Sequence, residues 1–123
     1  MKIRIRDNSV RLRLTKTDIR NLRDNHLVSS KTEFSQVEIF EYELRSDTAY
    51  TEISAKFKEG KITIQIPLRD AEILTETEEI TIRGTQNNGM DSQLSLLIEK
   101  DLECIDATDE DQSDMYENKK SIC

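Results

Sequence analysis

Apolar and polar residues alternate through the opening stretch MKIRIRDNSVRLRLT on both sides of Asp7-Asn8, with Ile3 and Ile5 before the pair and Val10, Leu12 and Leu14 after it. A period of two marks a half-buried strand. Asp and Asn tolerate the positive φ that a two-residue hairpin turn requires. The spacing predicts a hairpin in which Arg6 pairs with Ser9, Ile5 with Val10 and Ile3 with Leu12, the five apolar side chains lying inside.

The stretch TEISAKFKEGKITIQIPLRDAEIL repeats this pattern. With Glu59-Gly60 as its turn, Lys58 pairs with Lys61, Phe57 with Ile62, Ala55 with Ile64 and Ile53 with Ile66, each pair being the first hairpin moved by 52 positions. The same shift carries Thr15 to Pro67, Asp18 to Asp70 and Leu22 to Leu74. Thr15 with Asp18 reads as a capping box and Pro67 as a helix-start residue. Helices are predicted around 16–25, burying Ile19 and Leu22, and around 68–75, burying Leu68, Ala71 and Leu74.

Strand-like runs follow each helix. They are LVSSKTEF and VEIFEYELR in the first half, with Phe40, Tyr42 and Leu44 on one face, then EEITIRG and QLSLLIEKDL in the second, separated by TQNNGMD. The expected fold is α+β and mainly β. Two tandem strand–strand–helix–strand–strand halves, about 1–47 and 50–103, form one compact pseudo-symmetric, barrel-like domain. Residues 104–123 hold few large apolar side chains and dense acid, and are expected to be a disordered acidic tail.

Composition sharpens this picture. A chain of 123 residues suits one domain, and a charged fraction of 35% with no Trp suits a thin β structure with a solvated face. The net charge is −7, yet residues 1–35 hold nine Lys or Arg against four Asp or Glu. An acidic protein thus carries a local basic face. No apolar run of about 18 residues occurs, so no membrane span is expected, and the default location is cytoplasmic. The thiols Cys104 and Cys123 are expected to stay reduced there.

The first hairpin's register places Arg4 opposite Arg11 and Lys2 opposite Arg13. Like charges directly opposed are destabilising. The chain's own acidic segments, an acidic protein or phosphate groups would offset them. A single histidine, His26, leaves no Ser-His-Asp relay and no histidine-rich metal site, and its place near a helix end suits an interaction with the helix dipole. Three glycines leave no phosphate-cradling loop, and Cys104 has no histidine near it in sequence. No catalytic residue, metal or cofactor is therefore expected.

Two weaker patterns remain. Glu41, Glu43 and Arg45 alternate as in tunnel-type triphosphate hydrolases, with Lys2, Arg4, Arg11 and Arg13 as the phosphate-holding complement of such a lumen. Asp106 to Glu117 has the length of a calcium loop but carries Asp111 where glycine is required.

Taken along its length, from MKIRIRDNSVRLRLT to LLIEKDLECID, the chain resembles a family of small bacterial proteins whose domain has no known function. Each half separately resembles the swapped-hairpin domain of AbrB-type regulators and MazE-type antitoxins. Asn8, Ser9, Arg13 and Leu14 match that pattern in DNSVRLRLT, whereas Thr15 stands where Pro is usual and Asp7 where Gly is usual. EGKITIQIP keeps the Gly as Gly60 and the Pro as Pro67. The resemblance implies an interleaved fold, as a monomeric pseudo-dimer or a homodimer, and DNA-contacting hairpin positions at Arg4, Arg6, Asn8 and Arg13. The second half is less basic, presenting Ser54, Lys56, Lys58, Lys61, Thr63 and Gln65, which weighs against a symmetric operator reader.

The expectation is a non-enzymatic binding module. Arg4, Arg6, Asn8, Arg11 and Arg13 would contact DNA or an acidic partner, with the tail as a mask or a recruiting segment. The alternatives are a structural protein whose basic face is neutralised internally, and a small metal-dependent phosphohydrolase.

Overall fold

The computed structural model of the chain describes residues 1–102 and Tyr116. The order of elements is β1 (Lys2–Arg6), β2 (Ser9–Leu14), α1 (Lys16–Asn25), β3 (Leu27–Glu33), β4 (Ile39–Asp47), β5 (Ser54–Lys58), β6 (Lys61–Pro67), α2 (Leu68–Glu76), β7 (Thr81–Asn87) and β8 (Gln93–Lys100). Both halves are therefore strand–strand–helix–strand–strand. The tail, with its cysteines and the calcium-loop stretch, lies outside the described residues apart from Tyr116.

Both hairpins adopt the register their sequences predict, from Arg6↔Ser9 to Lys2↔Arg13 and from Lys58↔Lys61 to Ala55↔Ile64. Positive φ falls on Asp7 (49°) in the first turn, and on Glu59 (52°) and Gly60 (77°) in the second. Helix α1 begins with the expected capping box. The Thr15 hydroxyl accepts from the Asp18 N–H at 3.2 Å, and the Asp18 carboxylate accepts from the Thr15 N–H at 2.9 Å. Pro67 precedes α2 without a side-chain cap. The stretch TQNNGMD is only partly a loop, since β7 runs on to Asn87.

Strands from different halves interleave. One sheet has the order β1-β2-β8-β7 and the other β3-β4-β6-β5, so each combines a hairpin of one half with a hairpin of the other. The joins are the parallel pairs β2·β8 and β4·β6, with Leu12 opposite Ile98 and Leu44 opposite Ile64. The sheets do not close into a barrel.

Inward positions of both sheets share a single core with Leu22, Ala71 and Leu74 of the helices; its fully enclosed members include Leu12, Leu44, Ile64, Ile66, Leu96 and Ile98. Burying each such side chain contributes about 1.5–3 kcal/mol. Inward parity does not guarantee depth. Val10 is 7% exposed while its partner Ile5 is 54% exposed, and Phe57, the counterpart of Ile5, is 70% exposed. The expectation that Ile5 lies inside is corrected accordingly: parity places it on the core side of its strand, but next to the turn it stays more than half exposed.

The two seams between the sheets differ. At one, the Gln86 side chain accepts from the Ala55 N–H at 2.6 Å and donates to the Ala55 carbonyl at 3.0 Å, and so stands in for a strand at the edge of β5. Ile53 packs beside it, against the backbone of Gly84. At the other, Tyr42 donates its hydroxyl to the Met1 carbonyl at 2.9 Å. The Met1 amino group lies 2.9 Å from the Asp18 carboxylate. Burial pushes that carboxyl up, but the ammonium and the Thr15 donors outweigh it and hold it below its ordinary value.

Candidate anion-binding hairpin

The outward row of β1 is Lys2, Arg4 and Arg6, and that of β2 is Ser9, Arg11 and Arg13. The register opposes Arg4 to Arg11 and Lys2 to Arg13, as the sequence requires. On the far side of β2, the parallel strand β8 sets Glu99 opposite Arg13. The Glu99 carboxylate is 3.0 Å from Arg11 Nε and accepts from Arg13 Nε at 2.9 Å. Past the end of β8, the Asp101 N–H donates to the Leu14 carbonyl at 2.8 Å and its carboxylate meets Lys2 Nζ at 3.0 Å. Acid from β8 thus compensates the cations at the open end of the hairpin.

A depression lies at the turn end of the hairpin. Arg4, Arg6 and Arg11 surround a depression of about 430 Å³ with Asp7, Asn8, Ser9 and Leu97. The Asn8 side-chain amide donates to Ser92 Oγ at 3.0 Å, which fixes the turn against the β7–β8 loop. Four of the five sequence-predicted site residues, Arg4, Arg6, Asn8 and Arg11, are brought together here. Arg13 is not; it sits beside Glu99. Guanidinium groups offer planar forks of donors that match phosphate and carboxylate oxygens, so three around one depression form a chemically suitable anion seat.

The second sheet carries an acid at the corresponding central position. Because Leu44 pairs with Ile64 as Ile98 pairs with Leu12, Leu97 corresponds to Glu43. Glu43 is 5% exposed although it belongs to the outward face. Its carboxylate accepts from Arg45 Nε at 2.7 Å and Thr63 Oγ1 at 3.2 Å, and lies 3.2 Å from Lys61 Nζ. Burial raises the Glu43 carboxyl, but Arg45 and Lys61 outweigh it and hold it below its ordinary value. The Arg45 guanidinium is raised in turn, chiefly by its hydrogen bond to Glu43. Where the second sheet carries this central acid, the first carries Leu97.

The carboxylates of the hydrolase-like pattern belong to the β3-β4-β6-β5 sheet, and Lys2, Arg4, Arg11 and Arg13 to the other. The structure does not bring the two sets together, and Glu43 is already held by its own cations. Among the described residues no cluster of three or more His, Cys, Asp or Glu could hold a metal. His26 caps α1 in the left-handed region (φ 58°), its N–H donating to the Leu22 carbonyl at 3.0 Å, and its Nδ1 lies 3.4 Å from Ser46 Oγ.

Sequence reasoning missed Glu99, Asp101 and Leu97 as parts of this face. Their relevance depends on the parallel β2·β8 pairing, for which the local pattern carries no signal.

A protein-family model matches residues 1–120, and the family is described only as one of unknown function. No curated protein and no solved structure matches the chain. No helix among the described residues is long and apolar enough to cross a membrane.

Proposed function

The chain belongs to this family, DUF7009, which brings no activity with it, and from the residues themselves we propose a non-enzymatic module that binds an anionic partner through the β1–β2 hairpin. One observation carries the reading: Arg4, Arg6 and Arg11 converge on a single depression whose central strand position is Leu97 rather than an acid. Arg4, Arg6 and Arg11 contact the partner's oxyanions, Asn8 holds the turn, and Arg13 supports Arg11 through their shared carboxylate Glu99. DNA and an acidic protein segment both supply the required chemistry. Residues 1–103 act as the binding domain, intracellularly and without a cofactor.

A second reading also has an observation behind it. The Glu99 and Asp101 contacts neutralise part of the basic face from within, as a purely structural role for it requires. Salt separates the two. Three or four phosphate contacts predict an affinity for duplex DNA that falls about 40–150-fold between 50 and 200 mM salt. Arg4→Ala and Arg6→Ala should each flatten that dependence by about one contact. An acidic peptide, tested in parallel, identifies the protein-partner case. If neither probe binds at low salt, the proposed function is wrong and the structural role stands.

A further inference from the structure

We infer that the Asn88-Gly89 step of the β7–β8 loop is a deamidation site, and that the carboxylate it produces lowers the affinity of the neighbouring hairpin for anions. The first half stands on the loop alone, and the second rests on the binding role just proposed.

The chain's three glycines follow Glu59, Arg83 and Asn88, so Asn88-Gly89 is its one Asn-Gly step. Gly89 has a φ of 80°, and a Cβ built there would meet nothing within 4 Å. Residues 87–93 are exposed, which gives water and hydroxide access to the step. The Asn88 side-chain carbonyl accepts from the Met90 N–H at 3.0 Å. The ring closed by that bond contains both reacting atoms, Asn88 Cγ and the Gly89 nitrogen. The same N–H is placed to stabilise the oxyanion that forms when the nitrogen adds to Cγ.

The chemistry needs only water. Hydroxide takes the Gly89 amide proton, which is held by Asn87 Oδ1 at 2.9 Å. The nitrogen bonds to Asn88 Cγ, the Cγ–Nδ2 bond breaks, and Nδ2 leaves as ammonia with a proton from water. The cyclic imide then adds water at either carbonyl. One opening gives aspartate at position 88; the other gives isoaspartate, whose main chain runs through the former side chain and gains one carbon.

Ser92 ties this step to the candidate site. Its Oγ accepts from Asn88 Nδ2 at 3.4 Å and from Asn8 Nδ2 at 3.0 Å. Asn8 lines the depression together with Arg4, Arg6 and Arg11. Aspartate at position 88 exchanges the donor for a negative charge one hydroxyl away from Asn8. Isoaspartate adds the same charge and lengthens the loop that anchors the turn. A carboxylate fixed there repels an incoming anion.

Two readouts test the halves separately. In the first, the full chain is held at pH 8.5 and 37 °C and followed by peptide mass spectrometry. The peptide carrying Asn88 should gain about one mass unit at that residue, with isoaspartate detected, and ahead of Asn87 and Asn8. Gly89→Ala should slow the gain at least tenfold. The native chain should convert about as fast as the chain unfolded in urea, because folding leaves the loop open. Conversion no faster at Asn88 than at Asn87, or tenfold protection by folding, overturns the site.

The second readout is duplex DNA binding by anisotropy at 50 mM salt. Asn88→Asp and the aged chain should bind at least threefold more weakly than the fresh parent, whereas Asn88→Ser, which adds no charge, should not. Equal binding by the parent and Asn88→Asp overturns the effect on affinity and leaves the binding role intact. If the fresh parent does not bind, the binding role for DNA fails and the effect on affinity with it, while the mass measurement still decides the site.

Discussion

Replacing Glu43 by Gln tests whether an outward-facing carboxylate can be a structural keystone. The side chain is 6% exposed and holds Arg45, Lys61 and Thr63, while the two cations remain 46% and 40% exposed. Breaking a fully buried ion pair costs about 3–5 kcal/mol. Here both cations can return to water when the carboxylate is lost, which screens and lowers the figure. The amide also keeps the Thr63 contact. About 1.5–3 kcal/mol is expected, read as a lower urea midpoint with unchanged slope at pH 7.

The pH dependence gives the sign. Folding depresses the Glu43 carboxyl below its ordinary 4.5. Its stabilisation is therefore fully present above that value and is lost as pH falls through the depressed one. The parent and Glu43→Gln curves should differ most near neutrality and converge as the pH falls through the depressed value. A difference below about 0.5 kcal/mol at pH 7, or one that persists unchanged in acid, would refute the electrostatic account.

Other perturbations probe the seam and the face. A Cβ at Gly84 would lie 2.8 Å from the Ile53 Cβ, so Gly84→Ala should destabilise by about 1–3 kcal/mol; thermal unfolding checks this, and Ile53→Ala in the same chain should recover part of the loss. Gln86→Ala removes both side-chain partners of the Ala55 main chain. It should cost about 1–3 kcal/mol and speed hydrogen exchange at Ala55 more than at Leu12. Leu97→Glu places an acid where the second sheet has Glu43; the variant should stay folded by circular dichroism and lose duplex DNA binding at 50 mM salt.

Some of this architecture was legible in the sequence for local reasons. A two-residue turn fixes every pair along a hairpin, so Arg6↔Ser9 determines Lys2↔Arg13 four pairs away. The Thr15–Asp18 cap and the spacing to Leu22 likewise specify α1 within a few residues. Parallel pairing is non-local, and nothing near Leu12 announces that Ile98 lies beside it. For that reason the acids that reach the basic face, Glu99 and Asp101, were invisible in its own neighbourhood.

Alternation also reports parity rather than depth. It placed Ile5 on the same side of the hairpin as Val10, but could not tell that this side chain, next to the turn, stays more than half exposed. Nor could it show that Glu43 is buried, because the side chains around its carboxylate include Lys61 and Thr63 of the other half. Four of the five candidate site residues nevertheless converge, since one hairpin carries them all and the tightness of its turn sets their spacing.

The most direct test of the anion-binding role is the anisotropy of labelled duplex DNA titrated with a 1–103 truncation at 50 and 200 mM salt. Anion recognition by the hairpin predicts measurable binding that weakens about 40–150-fold across that range, and that Arg4→Ala or Arg6→Ala weakens further. Absence of binding at 50 mM salt, or binding indifferent to salt and to both arginines, would contradict it for DNA.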